Sequence, residues 1–145
     1  MNDIYVIYWS QSGNTKEMAE GVIEGILEAG KSAKLFEVNE VNASDLKEAK
    51  VIALGCPASG VEVIEESEME PFVDELEDNL QGKQVGLFGS YGWGDGQWMR
   101  DWETRFVTAG ATIVNGEGII CMESPDNRTI AQCKQLGAKL ATLVE

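Results

Sequence analysis

The sequence predicts an α/β domain built on a parallel sheet, and three observations carry that reading. Apolar runs of strand length recur five times, and several are continuous rather than alternating, as strands buried on both faces require. Between these runs lie apolar stripes at helical spacing. The 145 residues are 43% hydrophobic, enough to bury one core, so residues 1–145 read as a single domain. Alternation of strand and helix implies right-handed crossovers between parallel strands.

The elements follow in order. "IYVIY" (4–8) is the first strand. Met18, Ala19, Val22, Ile23, Ile26 and Leu27 form the apolar stripe of the first helix, with Gly30 as its C-terminal cap. "KLFEV" (34–38) is the second strand, and residues 40–49 suit a short helix. "VIALGC" (51–56) is the third strand. Ser67 and Glu70 have capping-box spacing ahead of "PFVDELEDNL", with Pro71 in the first turn, where its missing N–H is tolerated. "QVGLFGS" (84–90) is the fourth strand, and Trp98, Met99, Trp102, Phe106 and Ala109 make the next helical stripe. "ATIVNGEGIIC" (111–121) is the fifth strand. Ile130, Cys133, Leu136, Gly137, Leu140 and Leu143 line the last helix.

Composition removes several functions. The chain lacks histidine, and with it the commonest metal ligand and any Ser–His or Cys–His nucleophile pair. Acidic residues outnumber basic ones 25 to 11, a net charge of −14, so nucleic acid and anionic membranes are poor partners. No apolar run approaches the roughly 18–20 residues of a membrane span. Met1-Asn2-Asp3 leads straight into a strand, without the basic start of a signal peptide. Cys56, Cys121 and Cys133 are odd in number and lack C-x-x-C spacing. They read as reduced core thiols, as expected in the cytoplasm.

In parallel sheets ligands sit beyond the carboxyl ends of the strands, where strand order reverses. Three loops there are unusual. After the first strand come Ser10, Gln11, Ser12, Gly13, Asn14 and Thr15. Their hydroxyls and N–H groups at a helix N-terminus suit an anion. The loop itself holds no Lys or Arg and no Gly-Lys-Ser/Thr, so it suits a single phosphate held by neutral donors. An ordinary Ser/Thr helix cap fits the same residues.

After the fourth strand, Gly89, Gly92, Gly94 and Gly96 surround Ser90, Tyr91 and Trp93. A tryptophan flanked by glycines suits stacking on a flat ring, or a half-buried turn. The spacing is not G-x-G-x-x-G. After the third strand, Pro57, Ala58, Ser59, Gly60, Val61 and Glu62 supply a facing wall. Gly60 is free to take positive φ at the first central position of a type II′ turn with Val61 second. Glu62 can accept from a ring imide. Residues 62–78 then carry nine acidic and no basic residues, a solvated helix face or a docking surface that includes Glu65, Glu66 and Glu68.

Taken together, S-x-S-G-N-T, the acidic G-x-E stretch with "ESEMEPF", and "GSYGWGDG" with "WMRDWE" resemble the flavodoxins, specifically the short-chain type of anaerobic bacteria. The likeness spans the whole chain. It implies a doubly wound five-stranded sheet in the order 2-1-3-4-5 with FMN at the switch point, flavodoxin itself being the type example of that order. It assigns the FMN phosphate to Ser10, Ser12, Gly13, Asn14 and Thr15, with Ser90 adding a contact and Gln11 within the same loop. Trp93 would stack on the outer ring face. Gly89, Tyr91, Gly92 and Gly94 would serve the pyrimidine edge and Glu62 the imide N–H. Gly60 would turn its carbonyl toward the central-ring nitrogen upon one-electron reduction. Pro57, Ala58 and Ser59 would form the inner wall. The family often has Met where this chain has Ser59, which gives Trp9 more of that inner face to cover.

The implied function is non-catalytic: a low-potential one-electron carrier whose non-covalent FMN cycles through a neutral semiquinone. Its expected partners are ferredoxin-type redox proteins with basic docking surfaces, met by a cytoplasmic monomer that binds no metal. The competing reading is an FMN-dependent NAD(P)H or quinone oxidoreductase, which needs a second pocket that no motif here suggests.

Overall fold

The computed structural model describes residues 3–60 and 62–144. Val61, the second residue of the expected turn, and the leading Met1-Asn2 lie outside the described residues. The elements are β1 (Ile4–Tyr8), α1 (Asn14–Glu28), β2 (Ala33–Glu37), β3 (Val51–Gly55), α2 (Met69–Leu76), β4 (Gln84–Tyr91), α3 (Gln97–Thr108), β5 (Thr112–Ile113), β6 (Ile119–Met122) and α4 (Asn127–Ala141). The sheet is parallel with the order β2-β1-β3-β4-β5, as expected, and β6 also pairs with β4.

The fifth strand differs from expectation. The run 111–121 is two short strands rather than one. β5 pairs with Gln84 and Val85, and β6 pairs with Phe88 through Tyr91. Between them Val114–Gly116 forms a 3₁₀ turn in which Asn115 takes φ 67° and Gly116 φ 83°. A left-handed Asn-Gly pair cannot continue a strand, so the polar insert "NGEG" steps out of the ladder.

All five residues of β3 are buried, which explains its unbroken apolar run. Its neighbours share out two faces. On one, Ile7, Leu54 and Leu87 pack under α2 and α3 with Phe72, Trp98 and Trp102. On the other, Val6, Ala53 and Phe88 pack under α1 and α4 with Met18, Val22 and Leu136. The helical stripes therefore face the sheet as expected, except that Leu27 is largely exposed. The α1–α4 contact is a backbone approach. A Cβ on Gly25 would meet Lys134 O at 2.0 Å, and one on Gly137 would meet Val22 O at 2.1 Å.

The helix ends show what the sequence hid. Gly30 lies one residue beyond the cap Ala29 of α1, at φ 83°, as a terminating glycine should. Asp126 caps α4, accepting from Thr129 N–H at 2.8 Å. The Ser67–Glu70 box does not form. The buried Glu65 takes its place, accepting from the N–H groups of Ser67 (2.7 Å), Glu68 (2.8 Å) and Met69 (2.9 Å) and from the Ser67 hydroxyl. Pro71 falls in the first turn of α2. The short helix expected over 40–49 is a 3₁₀ turn at Ala43–Leu46. Its open carbonyl end is closed by Lys83, a buried lysine whose Nζ donates to Leu46 O at 2.8 Å and Lys47 O at 3.1 Å. Burial pulls this ammonium below its ordinary pKa.

All three cysteines are free. Burial pushes Cys56 and Cys133 up to about 12 and Cys121 up to about 11, so they are poor nucleophiles. Among the described residues, no helix is long and apolar enough to cross a membrane.

Candidate functional site

Parallel pairing ends β1 and β3 at one level, with Tyr8 beside Gly55 and Gly55 beside Phe88, and β4 runs on in the same direction to Tyr91. The three unusual loops therefore leave the sheet side by side. They enclose a cleft of about 280 Å3. Trp9, Gln11, Ser12 and Asn14 line it from the first loop, Pro57, Ala58 and Ser59 from the second, and Ser90, Tyr91 and Gly92 from the third. A larger open groove of about 540 Å3 runs between α3, the β5–β6 connection and α4. None of the expected site residues lines it, so the smaller cleft is the candidate site.

The first loop coils on itself. Gly13 N–H donates to Ser10 Oγ at 3.1 Å and Asn14 N–H to Ser12 Oγ at 3.4 Å. Both hydroxyl protons stay available to donate outward. Gly13 is the N-cap of α1 at φ 97°, with nothing within 4 Å of where a Cβ would stand. Thr15 Oγ1 lies 3.3 Å from Ser90 Oγ, both buried, joining this loop to the end of β4. The result is an open cradle of neutral donors at the positive end of a 15-residue helix. That donor set fits a phosphate and needs no metal. Among the described residues no cluster of carboxylates and thiols suits a metal ion.

The second loop is a small hairpin. Ser59 N–H donates to Val63 O at 2.8 Å and Val63 N–H to Ser59 O at 3.0 Å. Gly60 takes the expected positive φ, 52°, and so does Glu62. The Ser59–Val63 pairing brackets the expected turn, whose second central residue, Val61, lies outside the described residues. Ala58 N–H reaches Ser90 O at 3.0 Å, and Glu65 N–H reaches Cys56 Sγ at 3.2 Å, tying both ends of the hairpin down.

Glu62 staples this hairpin to the third loop. Its Oε1 accepts from Gln97 N–H at 3.1 Å and Asp95 N–H at 3.3 Å. A Cβ on Gly94 would meet this carboxylate at 2.4 Å, so Gly94 is needed for the approach. Gly89 is buried instead against the Cys56 carbonyl, 2.1 Å from where its Cβ would stand. Trp98 Nε1–H donates to that same carbonyl at 3.1 Å. Tyr91 leans on Trp98, with ring centroids 5.4 Å apart. Trp93 stands at the loop tip, 58% exposed.

Sequence reasoning missed three contributors. Glu68 Oε1 accepts from Trp9 Nε1–H at 2.9 Å. Glu123 lines the cleft from the loop after β6, and its N–H donates to Tyr91 O at 2.7 Å. Ser124 Oγ–H donates to Asn14 Oδ1 at 3.4 Å. The loop after the last strand obeys the same carboxyl-end rule as the other three, and that rule was the available signal.

The rim is acidic but not uniformly free. Arg105 binds Glu70 through two bonds of 2.9 and 2.7 Å and Glu77 at 2.6 Å. Donating hydrogen bonds to Glu70 and Glu77 raises its guanidinium further above its already high pKa, against the opposing cost of burial. Glu65 is inside the fold, so it is no part of a docking face. Glu66, Asp74, Glu75 and Asp78 remain exposed.

A doubly wound sheet whose switch-point loops gather neutral donors at a helix N-terminus beside an aromatic cleft has the architecture of a mononucleotide-binding α/β protein. The flavodoxin family model matches residues 6–138. The flavodoxin of Clostridium beijerinckii is 44% identical over 138 residues, covering 95% of this chain and 99% of its own length. That of Megasphaera elsdenii is 43% identical, covering 95% and 98%. The solution structure of two-electron reduced Megasphaera elsdenii flavodoxin matches with a TM-score of 0.86 over 96% of this chain and 98% of that one, at 41% identity. A flavodoxin from the domain Archaea matches at 0.87 over 97% of each chain, at 32% identity. The chain belongs to the flavodoxin family, whose members are FMN-binding electron carriers, and FMN is its cofactor.

Proposed function

We propose that this chain is a single-domain, low-potential carrier that passes one electron at a time through the neutral semiquinone of FMN. The observation that carries this reading is the pairing of a cation-free phosphate cradle with an acidic rim around one cleft. FMN supplies the redox chemistry. Ser10, Ser12, Asn14 and Thr15 bind its phosphate, Gly13 leaves the approach open, and Ser90 joins through Thr15. Trp93 covers the outer ring face and Trp9 the inner. Glu62 has Oε2 left for an imide N–H.

The protein tunes the cofactor by charge. A second negative charge on the ring is opposed by the phosphate and by nearby carboxylates. One unit charge at about 12 Å and an effective dielectric of ~40 costs about 0.7 kcal/mol, or about 30 mV per electron. Several such contributions add. The same charge selects basic redox partners and disfavours self-association, which supports a monomer. The free thiols support a cytoplasmic location.

Stepwise dithionite reduction of the FMN-reconstituted protein tests the reading. It expects a yellow complex that passes through a blue one-electron form, and no bleaching by NADH unless a reductase is added. Failure to bind FMN, or direct two-electron bleaching, overturns it. Bleaching by NADH alone supports the oxidoreductase reading.

A further inference from the structure

We infer that Glu68 is a positioning residue for the flavin site, acting through Trp9. This rests on the reading that the three-loop cleft holds the flavin ring.

Trp9 lines the 280 Å3 cleft. It also lines a second open cleft of about 410 Å3, with Tyr8, Ser10, Gln11, Glu37, Asn39 and Glu68. This half-buried indole packs against the core on part of its surface and lines two clefts with the rest, so packing holds it less completely than a core tryptophan. Its backbone is fixed, because Trp9 N–H donates to Gly55 O at 3.0 Å. The ring has a single polar anchor, the 2.9 Å bond from Nε1–H to Glu68 Oε1.

That anchor is itself held. Glu68 is the N-cap residue of α2, and its N–H donates to Glu65 Oε1 at 2.8 Å. Glu65 in turn holds Ser67 and Met69, and its own N–H is on Cys56 Sγ. A relay therefore runs from the end of β3 through Glu65 and Glu68 to the indole. It fixes the wall of the cleft opposite the Trp93 loop. With Ser59 rather than a long apolar side chain on the hairpin, the indole is the largest apolar surface lining that side. Glu68 sets where it stands.

The test uses Glu68→Ala, Glu68→Gln, Trp9→Phe and the Glu68→Ala/Trp9→Phe pair, each reconstituted with FMN. Readouts are the dissociation constant by flavin fluorescence and the Trp9 indole N–H resonance of the folded apoprotein. A hydrogen bond to a charged group sets the scale. Glu68→Ala is expected to weaken FMN binding about tenfold and shift the indole resonance. Glu68→Gln retains an acceptor oxygen and should stay within about threefold of the parent. In the Trp9→Phe background the Ala change should add nothing further.

Equal binding by Glu68→Ala and the parent overturns the inference. So does equal weakening in Ala and Gln, which would make charge the cause, and so does full additivity with Trp9→Phe. If Glu68→Ala unfolds, the Gln variant and its indole resonance decide: an unmoved resonance with lost affinity overturns it. If neither Trp9→Phe nor Trp93→Ala alters FMN binding, the flavin lies elsewhere, and the underlying reading of the cleft fails instead.

Discussion

Met69 donates its backbone N–H to the Glu65 carboxylate at 2.9 Å, so the first turn of α2 is capped from four residues upstream. Burial alone would raise the Glu65 carboxyl. Hydrogen bonds from the Ser67 hydroxyl and from the N–H groups of Met69, Glu68 and Ser67 outweigh burial and hold it below the ordinary value. The folded state therefore releases this proton more readily than the unfolded chain. Its stabilisation is complete above an unfolded carboxyl value of about 4.3 and disappears as pH falls through the folded one. Glu65→Ala is expected to cost about 2–3 kcal/mol at neutral pH, because the donors at the N-terminus of α2 lose their acceptor. Glu65→Gln should flatten the loss of stability below about pH 5. Urea melts of the apoprotein across pH measure both, and an unchanged acid slope in Glu65→Gln would remove this carboxylate from the pH response.

Trp93 stands clear of the core, so its removal should leave the fold intact. Trp93→Ala is expected to keep the apoprotein melting curve, loosen FMN binding and brighten the bound flavin, whose emission a stacked indole quenches. Steady-state fluorescence of the complex shows it. Equal emission from parent and variant would mean that the indole does not stack.

Gly60 holds φ 52°, and a Cβ there would meet only Glu66 Oε1, at 3.7 Å. Space is open, so the penalty for alanine is conformational, about 1–2 kcal/mol. That penalty already falls on the hairpin as it stands here, and it grows if the Gly60 carbonyl must turn toward the reduced ring. Gly60→Ala should lower apoprotein stability by about 1 kcal/mol and reduce accumulation of one-electron-reduced flavin. A stability loss with unchanged accumulation would make the hairpin purely structural.

The exposed part of the acidic rim should govern partner encounter. Glu66→Lys is expected to slow electron transfer with a basic redox protein and flatten its dependence on salt, since exposed charges are screened beyond about 8–10 Å. Glu70→Gln should act differently. It keeps one acceptor oxygen but removes the charge and one of the two bonds that Arg105 makes to this side chain, and it should lower stability more than rate. Stopped-flow rates at several ionic strengths separate the two. Salt-insensitive transfer in the parent would place docking elsewhere.

Much of this was legible in the sequence because burial writes itself as periodicity. β3 is apolar throughout since it is covered on both faces, and α3 shows Trp98, Trp102 and Phe106 at helical spacing since one side meets the sheet. The first loop was legible because its hydroxyls sit at a strand-to-helix junction. What stayed hidden depends on where side chains reach across the fold. Glu65 looks like one more charge in an acidic run until its carboxylate is seen under α2. Lys83 looks like a surface lysine until its ammonium is found on the carbonyls of Leu46 and Lys47. The bond between Trp9 and Glu68 spans 59 residues, and no local pattern encodes it. Asn115 and Gly116 carried a turn signal inside an apolar run, and the apolar run outweighed it.

The divided strand beside β4 also determines where the chain can be lengthened. β5 and β6 are anchored separately, to the start and the end of β4, and the exposed residues Asn115 and Gly116 already leave the ladder between them. Extra residues spliced there would break no existing strand pairing, and doubling such a loop costs only about 0.6 kcal/mol of closure entropy. Neither anchor would need to shift register. The fold thus has a built-in seam at its sheet edge, remote from the cleft, where a graft can grow while the flavin-holding loops keep their positions.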